Sequence, residues 1–122
     1  MQEFTYIINH IPPSNNKFIG RNAQWQYQSI KKQWAEMIFF TCRPKPKEPL
    51  KKSTVTLIYF FVDKRRRDPD NYSGKMILDG LVRSGILQDD SFNNVDLVLR
   101  GTYDKDNPRT IINIKEQKNE KN

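Results

Sequence analysis

The chain is poor in the residues that most often carry chemistry. Its 122 residues include one cysteine, Cys42, and one histidine, His10. A single cysteine excludes an internal disulfide and any Cys/His zinc site. A lone histidine argues against Ser-His-Asp catalysis. Any catalysis therefore falls to carboxylates, lysine or a metal ion. Long hydrophobic runs are also missing, and the apolar stretches present are far too short to span a bilayer. The opening MQEFTYIINH has no basic stretch followed by an apolar one, so no secretory signal is read there. Together these absences lead to the expectation of a cytoplasmic protein with no membrane partner.

What is present is charge. Lysine and arginine outnumber aspartate and glutamate to a net +7, while 36% of residues are hydrophobic, enough for a modest core. The length fits one domain, read as residues 1–115, followed by a polar, frayed tail over 116–122. A positive surface favours a polyanionic partner, because each neutralised phosphate releases counterions. Charge alone also fits a basic protein that binds nothing in particular.

Pattern supplies the elements. EFTYIIN (3–9) is aromatic and β-branched and reads as a strand, stopped by HIPPSNN (10–16). A helix is expected over 22–40, with Tyr27, Ile30, Trp34, Met37 and Ile38 on one face. RPKPKEPLKK (43–52) reads as an exposed basic loop, either a connector or a flexible arm reaching for phosphates. STVTLIYFFV (53–62) is the clearest strand, and its apolar end suggests a central strand buried on both faces. A second helix is expected over 72–84, with Ile77, Leu78, Leu81 and Val82 as its stripe and Gly85 as its stop. VDLVLRG (95–101) and RTIINIK (109–115) read as strands joined into a hairpin by TYDKDNP. The order β-α-β-α-β-β predicts a small α+β domain with helices packed on a mixed sheet.

Between the second strand and the second helix lies RRRDPDNYSGK (65–75). Asp68 and Asp70 would point to one side of extended backbone, and Pro69 keeps Asp68 out of the helical region. Two such carboxylates repel unless a cation lies between them. A rigid pair is what Mg²⁺ takes from a protein, keeping waters and positions for phosphate oxygens. Asp90 or Asp89, after the second helix, would join them if the chain turns back toward the strand end. Equally, Asp-Pro-Asp-Asn is good capping chemistry, so Asp70 or Asn71 would simply cap the helix. Arg65, Arg66 and Arg67 read as salt-bridge partners or as phosphate clamps. An electrostatic binder gains nothing from acids inside its positive patch, whereas phosphodiester hydrolysis needs both signs together. Lys75, Asp79 and Arg83 read as a ladder of i,i+4 ion pairs, or else Lys75 faces the acids.

PPSNN (12–16), RRRDPDN (65–71), the Lys75–Asp79 spacing and GLVRSGILQDD (80–90), in that order, make the chain resemble the RusA family of Holliday junction resolvases. The resemblance spans about residues 5–115. It implies a homodimeric, Mg²⁺-dependent endonuclease, with Mn²⁺ as a substitute and no organic cofactor. Its substrate would be four-way branched DNA, cut by paired symmetric nicks in recombination and repair, in a bacterial or phage-infected cell. It assigns the essential aspartates to Asp68, Asp70 and Asp90 (Asp89 as the alternative), which would also hold the metal. The catalytic lysine falls on Lys75, and the arginine preceding the first aspartate on Arg67. Four residues separate Asp70 from Lys75 here, where the family pattern has three, and Gly74 would absorb the extra one. On this reading Arg65, Arg66, Lys45, Lys47, Lys51 and Lys52 would bind DNA arms, mostly through phosphates. A non-catalytic module that binds branched DNA is the competing expectation.

Overall fold

A computed structural model describes residues 1–118. Four strands and two helices follow in the expected order: β1 (Glu3–Ile8), α1 (Ala23–Thr41), β2 (Ser53–Phe61), α2 (Lys75–Arg83), β3 (Val95–Tyr103) and β4 (Arg109–Glu116). The domain is α+β with a mixed sheet in the spatial order β1-β4-β2-β3. β2 runs parallel to β3 and antiparallel to β4, which also pairs antiparallel with β1. Parallel neighbours require a crossover, and α2 provides it.

One face of the sheet carries the core. Val55, Leu57 and Tyr59 of β2, Ile112 and Ile114 of β4, and Tyr6 and Ile8 of β1 are buried together with Trp34 and Ile38 of α1 and Ile77 and Leu81 of α2. Tyr27, Ile30, Met37 and Val82 pack at its margin, so both predicted helical stripes face the core. The helices approach closely at Gly80, where an added Cβ would lie 2.6 Å from Ile38 Cδ1. Gly85 ends α2 at φ +83, and Ile86 N–H reaches back to the Leu81 carbonyl at 3.0 Å in a Schellman arrangement.

Several expectations need correction. β3 and β4 do not form a hairpin. They flank β2, and the connection 104–108 passes over its end, pinned where Asp104 N–H donates to the Phe61 carbonyl at 2.7 Å. Two strand spacings are about 10 Å, well within the reach of five residues. β2 is central, but it is fully buried only at alternate positions, because both helices lie on one face. The expected tail is partly built in. Glu116 ends β4, and Gln117 Nε2 donates to Thr54 Oγ1 and Asp96 Oδ2 at 2.9 and 2.7 Å. Residues 119–122 lie outside the described residues.

The proline-rich loop 43–52 is anchored along its length. Leu50 is buried and forms a parallel bridge with Leu87, with Leu50 N–H donating to the Ile86 carbonyl and Gln88 N–H to the Leu50 carbonyl. Tyr6 Oη donates to the Pro44 carbonyl at 2.7 Å. The flexible arm is therefore not what forms. No helix of the described residues is long and apolar enough to cross a membrane.

Candidate functional site

The charged segment leaves β2 and folds back beside the exposed edge of the sheet. Asp63 organises its start. It accepts from Arg65 N–H at 3.0 Å and from Arg67 at 3.0 Å, and Arg67 Nη1 also donates to the carbonyls of Asp63 and Arg65. The Arg65 N–H, and after it the Arg67 guanidinium, hold the Asp63 carboxyl below its usual range. Arg67 stacks on Phe61 at 4.3 Å and is 17% exposed. Its guanidinium is spent on the turn, so Arg67 positions the segment instead of serving as a free phosphate clamp. Arg65 and Arg66 are 79% and 88% exposed, and each makes one surface ion pair, Arg65 with Asp63 at 3.7 Å and Arg66 with Asp68 at 3.2 Å.

Asp68 is extended (φ −101, ψ 138), as expected before proline, and Pro69–Tyr72 form a short 3-10 turn. Asp70 therefore does not lie in extended backbone, and the expected same-side alternation does not apply. Asp68 accepts from Arg66 Nε at 3.2 Å while its side chain stays 48% exposed. Neither acid caps α2: its N-cap is Gly74, at φ +80, with no side-chain cap bond. Among the described residues the Asp70 carboxylate has no ion pair. The Asp70 backbone is held instead, its carbonyl accepting from Asn15 Nδ2 at 3.0 Å. The PPSNN segment thus docks on the DPDN turn, and Asn15 is a positioning residue that spacing alone did not single out.

Lys75 opens α2 directly after this turn. The expected Lys75–Asp79–Arg83 ladder is not formed, because Asp79 pairs with Lys31 of α1 at 3.6 Å. Lys75 Nζ lies 5.8 Å from the centre of the Tyr27 ring. Tyr72 packs on Tyr59 and Phe61, fastening the acidic turn to the sheet. Gly74 is required here for two reasons: its positive φ, and a Cβ that would run into Leu57 Cδ1.

Asp68, Tyr59, Phe61, Tyr72, Leu99 and Gly101 line one small groove. Asp90 lies elsewhere. Ser53 pairs with Val95 in parallel register, so β3 starts at the opposite end of the sheet from the acidic turn. From Gly101 back to Val95 is six residues, about 20 Å of strand. The Ser91 carbonyl accepts from both Asn94 and Val95, which keeps Asp90 close to that far end. The expected return of the chain to the strand end does not occur, because α2 is a crossover between parallel strands. Among the described residues no three His, Cys, Asp or Glu side chains are grouped to hold a metal ion. Asp68 and Asp70 are the two acids that share the turn; the trio with Asp90, or with Asp89 as its alternative, does not assemble within one chain.

The lysines divide likewise. Lys45 donates to the Ser84 carbonyl at 3.2 Å, serving the C-terminus of α2. Lys47, Lys51 and Lys52 line a groove with Glu116 and Gln117, and Asn94 Nδ2 bonds the Lys51 carbonyl at 2.8 Å. Exposed basic groups thus stand at both ends of the sheet, one set beside Asp68 and Asp70 and the other toward the Asp89–Asp90 end. No family model matches this chain, and no curated protein matches it.

Proposed function

We propose that the chain is a RusA-like, Mg²⁺-dependent endonuclease that resolves four-way DNA junctions as a homodimer in the cytoplasm. The observation that carries this reading is the exposure of Asp68, held only by Arg66 at the surface, and of Asp70, whose carboxylate has no ion pair among the described residues. Capping, the ordinary use of Asp-Pro-Asp-Asn, is not made of them, and they stand among exposed arginines with Lys75 next in line. Asp68 and Asp70 would hold the metal, with Mn²⁺ as a substitute. Bound there, it would supply Lewis-acid activation of water and neutralise phosphate charge.

The chain's own groups account for the rest. Arg65 and Arg66 grip phosphates flanking the cut, and Arg67 and Asn15 hold the acidic turn in shape. Lys75 counters the charge that builds on the phosphate as the bond breaks. Lys47, Lys51 and Lys52 bind a junction arm through its backbone, so affinity falls steeply with salt.

The test is a labelled four-way junction incubated with and without Mg²⁺. Asp70→Asn is expected to abolish cleavage and to keep or improve junction binding, since it removes a charge that repels DNA. Normal cleavage by this variant would refute the assignment. The separation of Asp90 from the pair favours one second reading, a non-catalytic module that holds branched DNA. That reading predicts junction binding with no Mg²⁺-dependent nicks.

A further inference from the structure

We infer that the groove between α1 and α2 docks an acidic peptide segment of a partner protein, which inserts an aromatic side chain against Phe39 and Phe40. The starting point is apolar surface left over on a strongly charged chain. α1 commits Trp34 and Ile38 to the core, yet Phe39 and Phe40 at its end are 44% and 74% exposed. Single exposed apolar side chains are normal, whereas two neighbours lining one concavity mark an interaction surface. The helices run side by side in the same direction: Lys75 lies by Tyr27, Asp79 pairs with Lys31, and Gly80 lies against Ala35 and Ile38. Toward their C-terminal ends they leave a groove of about 510 Å³. Ala35, Phe39 and Phe40 supply its apolar lining, and Lys31, Lys32 and Arg83 its cations.

That chemistry selects the occupant. Lys31 is engaged with Asp79, but Lys32 and Arg83 have no ion pair among the described residues. Arg43 adds a further positive charge, its guanidinium 5.2 Å from the centre of the Phe39 ring. Glu36 is the one acid in the lining, against three cations. An apolar centre with cationic surroundings matches an aromatic side chain flanked by carboxylates. The groove is of the size that buries one such group. A nucleic-acid strand fits less well, because successive bases need open ring faces. Here Arg43 stands over Phe39, and Phe39 and Phe40 meet edge to face at 5.2 Å. Arg83 ends α2 and Lys75 begins it, about 12 Å apart along the helix. The groove is therefore separate from the acidic turn, and the inference stands independently of the nuclease reading. Docking there recruits the chain to a partner while the acidic turn stays open.

The test follows the fluorescence anisotropy of a labelled peptide of aspartates around a single phenylalanine, mixed with the full chain in the absence of DNA. Saturable binding is expected, weakened about tenfold or more when alanine replaces the phenylalanine of the peptide. Phe40→Ala should cost a similar factor and Lys32→Ala about threefold or more. Lys105→Ala, which removes an exposed lysine from the 104–108 connection, should change little. Phe40 and Lys32 are both exposed, so their variants should keep the denaturant midpoint of the wild type. No saturable binding, or equal binding of the phenylalanine-free peptide, overturns the proposal. Wild-type affinity in Phe40→Ala does the same, as does a loss in Lys105→Ala equal to that in Lys32→Ala. Tighter binding of a labelled oligothymidine that Phe40→Ala abolishes overturns it too, and gives the groove to single-stranded nucleic acid.

Discussion

At the residue scale the decisive facts concern which polar atoms are occupied. Asp63 and Asp104 look like ordinary loop acids, yet each organises a turn. Asp104 takes Arg109 at 2.9 Å and two backbone N–H groups, and the Arg109 bond in particular lowers its carboxyl below the usual range. For Asp63 the sign is clear. Its folded value is depressed, so its contribution is complete above the unfolded value of about 3.9 and is lost as pH falls below it. A carboxyl NMR titration should find the Asp63 midpoint below 3.9 and the Arg65–Arg67 turn loosening along the same curve. Cys42 behaves oppositely. Burial pushes its thiol up to about 12, so a thiol reagent should leave the native chain unmodified and label it fully in denaturant. Rapid native labelling would mean that the end of α1 opens readily. The acids and arginines of 65–70 were legible in sequence as a mixed cluster. Their division of labour was not, because Arg67 is withdrawn by Phe61 and Asp63, contacts that spacing does not show.

At the element scale Gly74 and Gly80, at the start and in the middle of α2, carry the argument. Gly80 lets α2 lie against Ala35 and Ile38. Gly80→Ala should cost about 1–3 kcal/mol, the range for overpacking a filled site, read as a lowered denaturant midpoint. Leu81→Ala empties a fully buried position and should cost about 2–5 kcal/mol by the same measurement. Gly74→Ala acts at the site as well, since both its φ and its space are disallowed. It should displace the start of α2, and with it Lys75, and under the proposed function this reduces nicking beyond any loss of stability. Wild-type nicking by Gly74→Ala would remove the positional argument for Lys75. The helical stripes and the strong strand were legible because their periods are local. The false hairpin had a local cause too: two alternating strands with a turn between them look alike whether they pair or straddle a third. β2, the most apolar strand, takes the place between them, where its inward side chains meet both helices.

At the scale of the whole molecule, the parallel crossover sorts the functional groups. It sends the acid turn after β2 to one end of the sheet and Asp89–Asp90 to the other, with exposed basic side chains at each. If the proposed function holds, junction affinity should therefore depend on both ends. Replacing Lys51 and Lys52 with Ala should shallow the dependence of log affinity on log salt by about 2, as should Arg65→Ala with Arg66→Ala. A slope left unchanged by the lysine pair would remove that end from the DNA footprint.

Composition and period were enough to determine an α+β domain of two helices on a mixed sheet, a basic surface, and the mixed-sign segment at 65–75, because each is written in neighbouring residues. Strand order, the anchoring of the 43–52 loop, the occupation of Arg67 and the distance between Asp90 and the Asp68–Asp70 pair were decided only by tertiary structure. The reason is physical: pairing β2 with β3 in parallel register and with β4 on its other side is chosen by burial summed over the sheet. No stretch of sequence carries that sum.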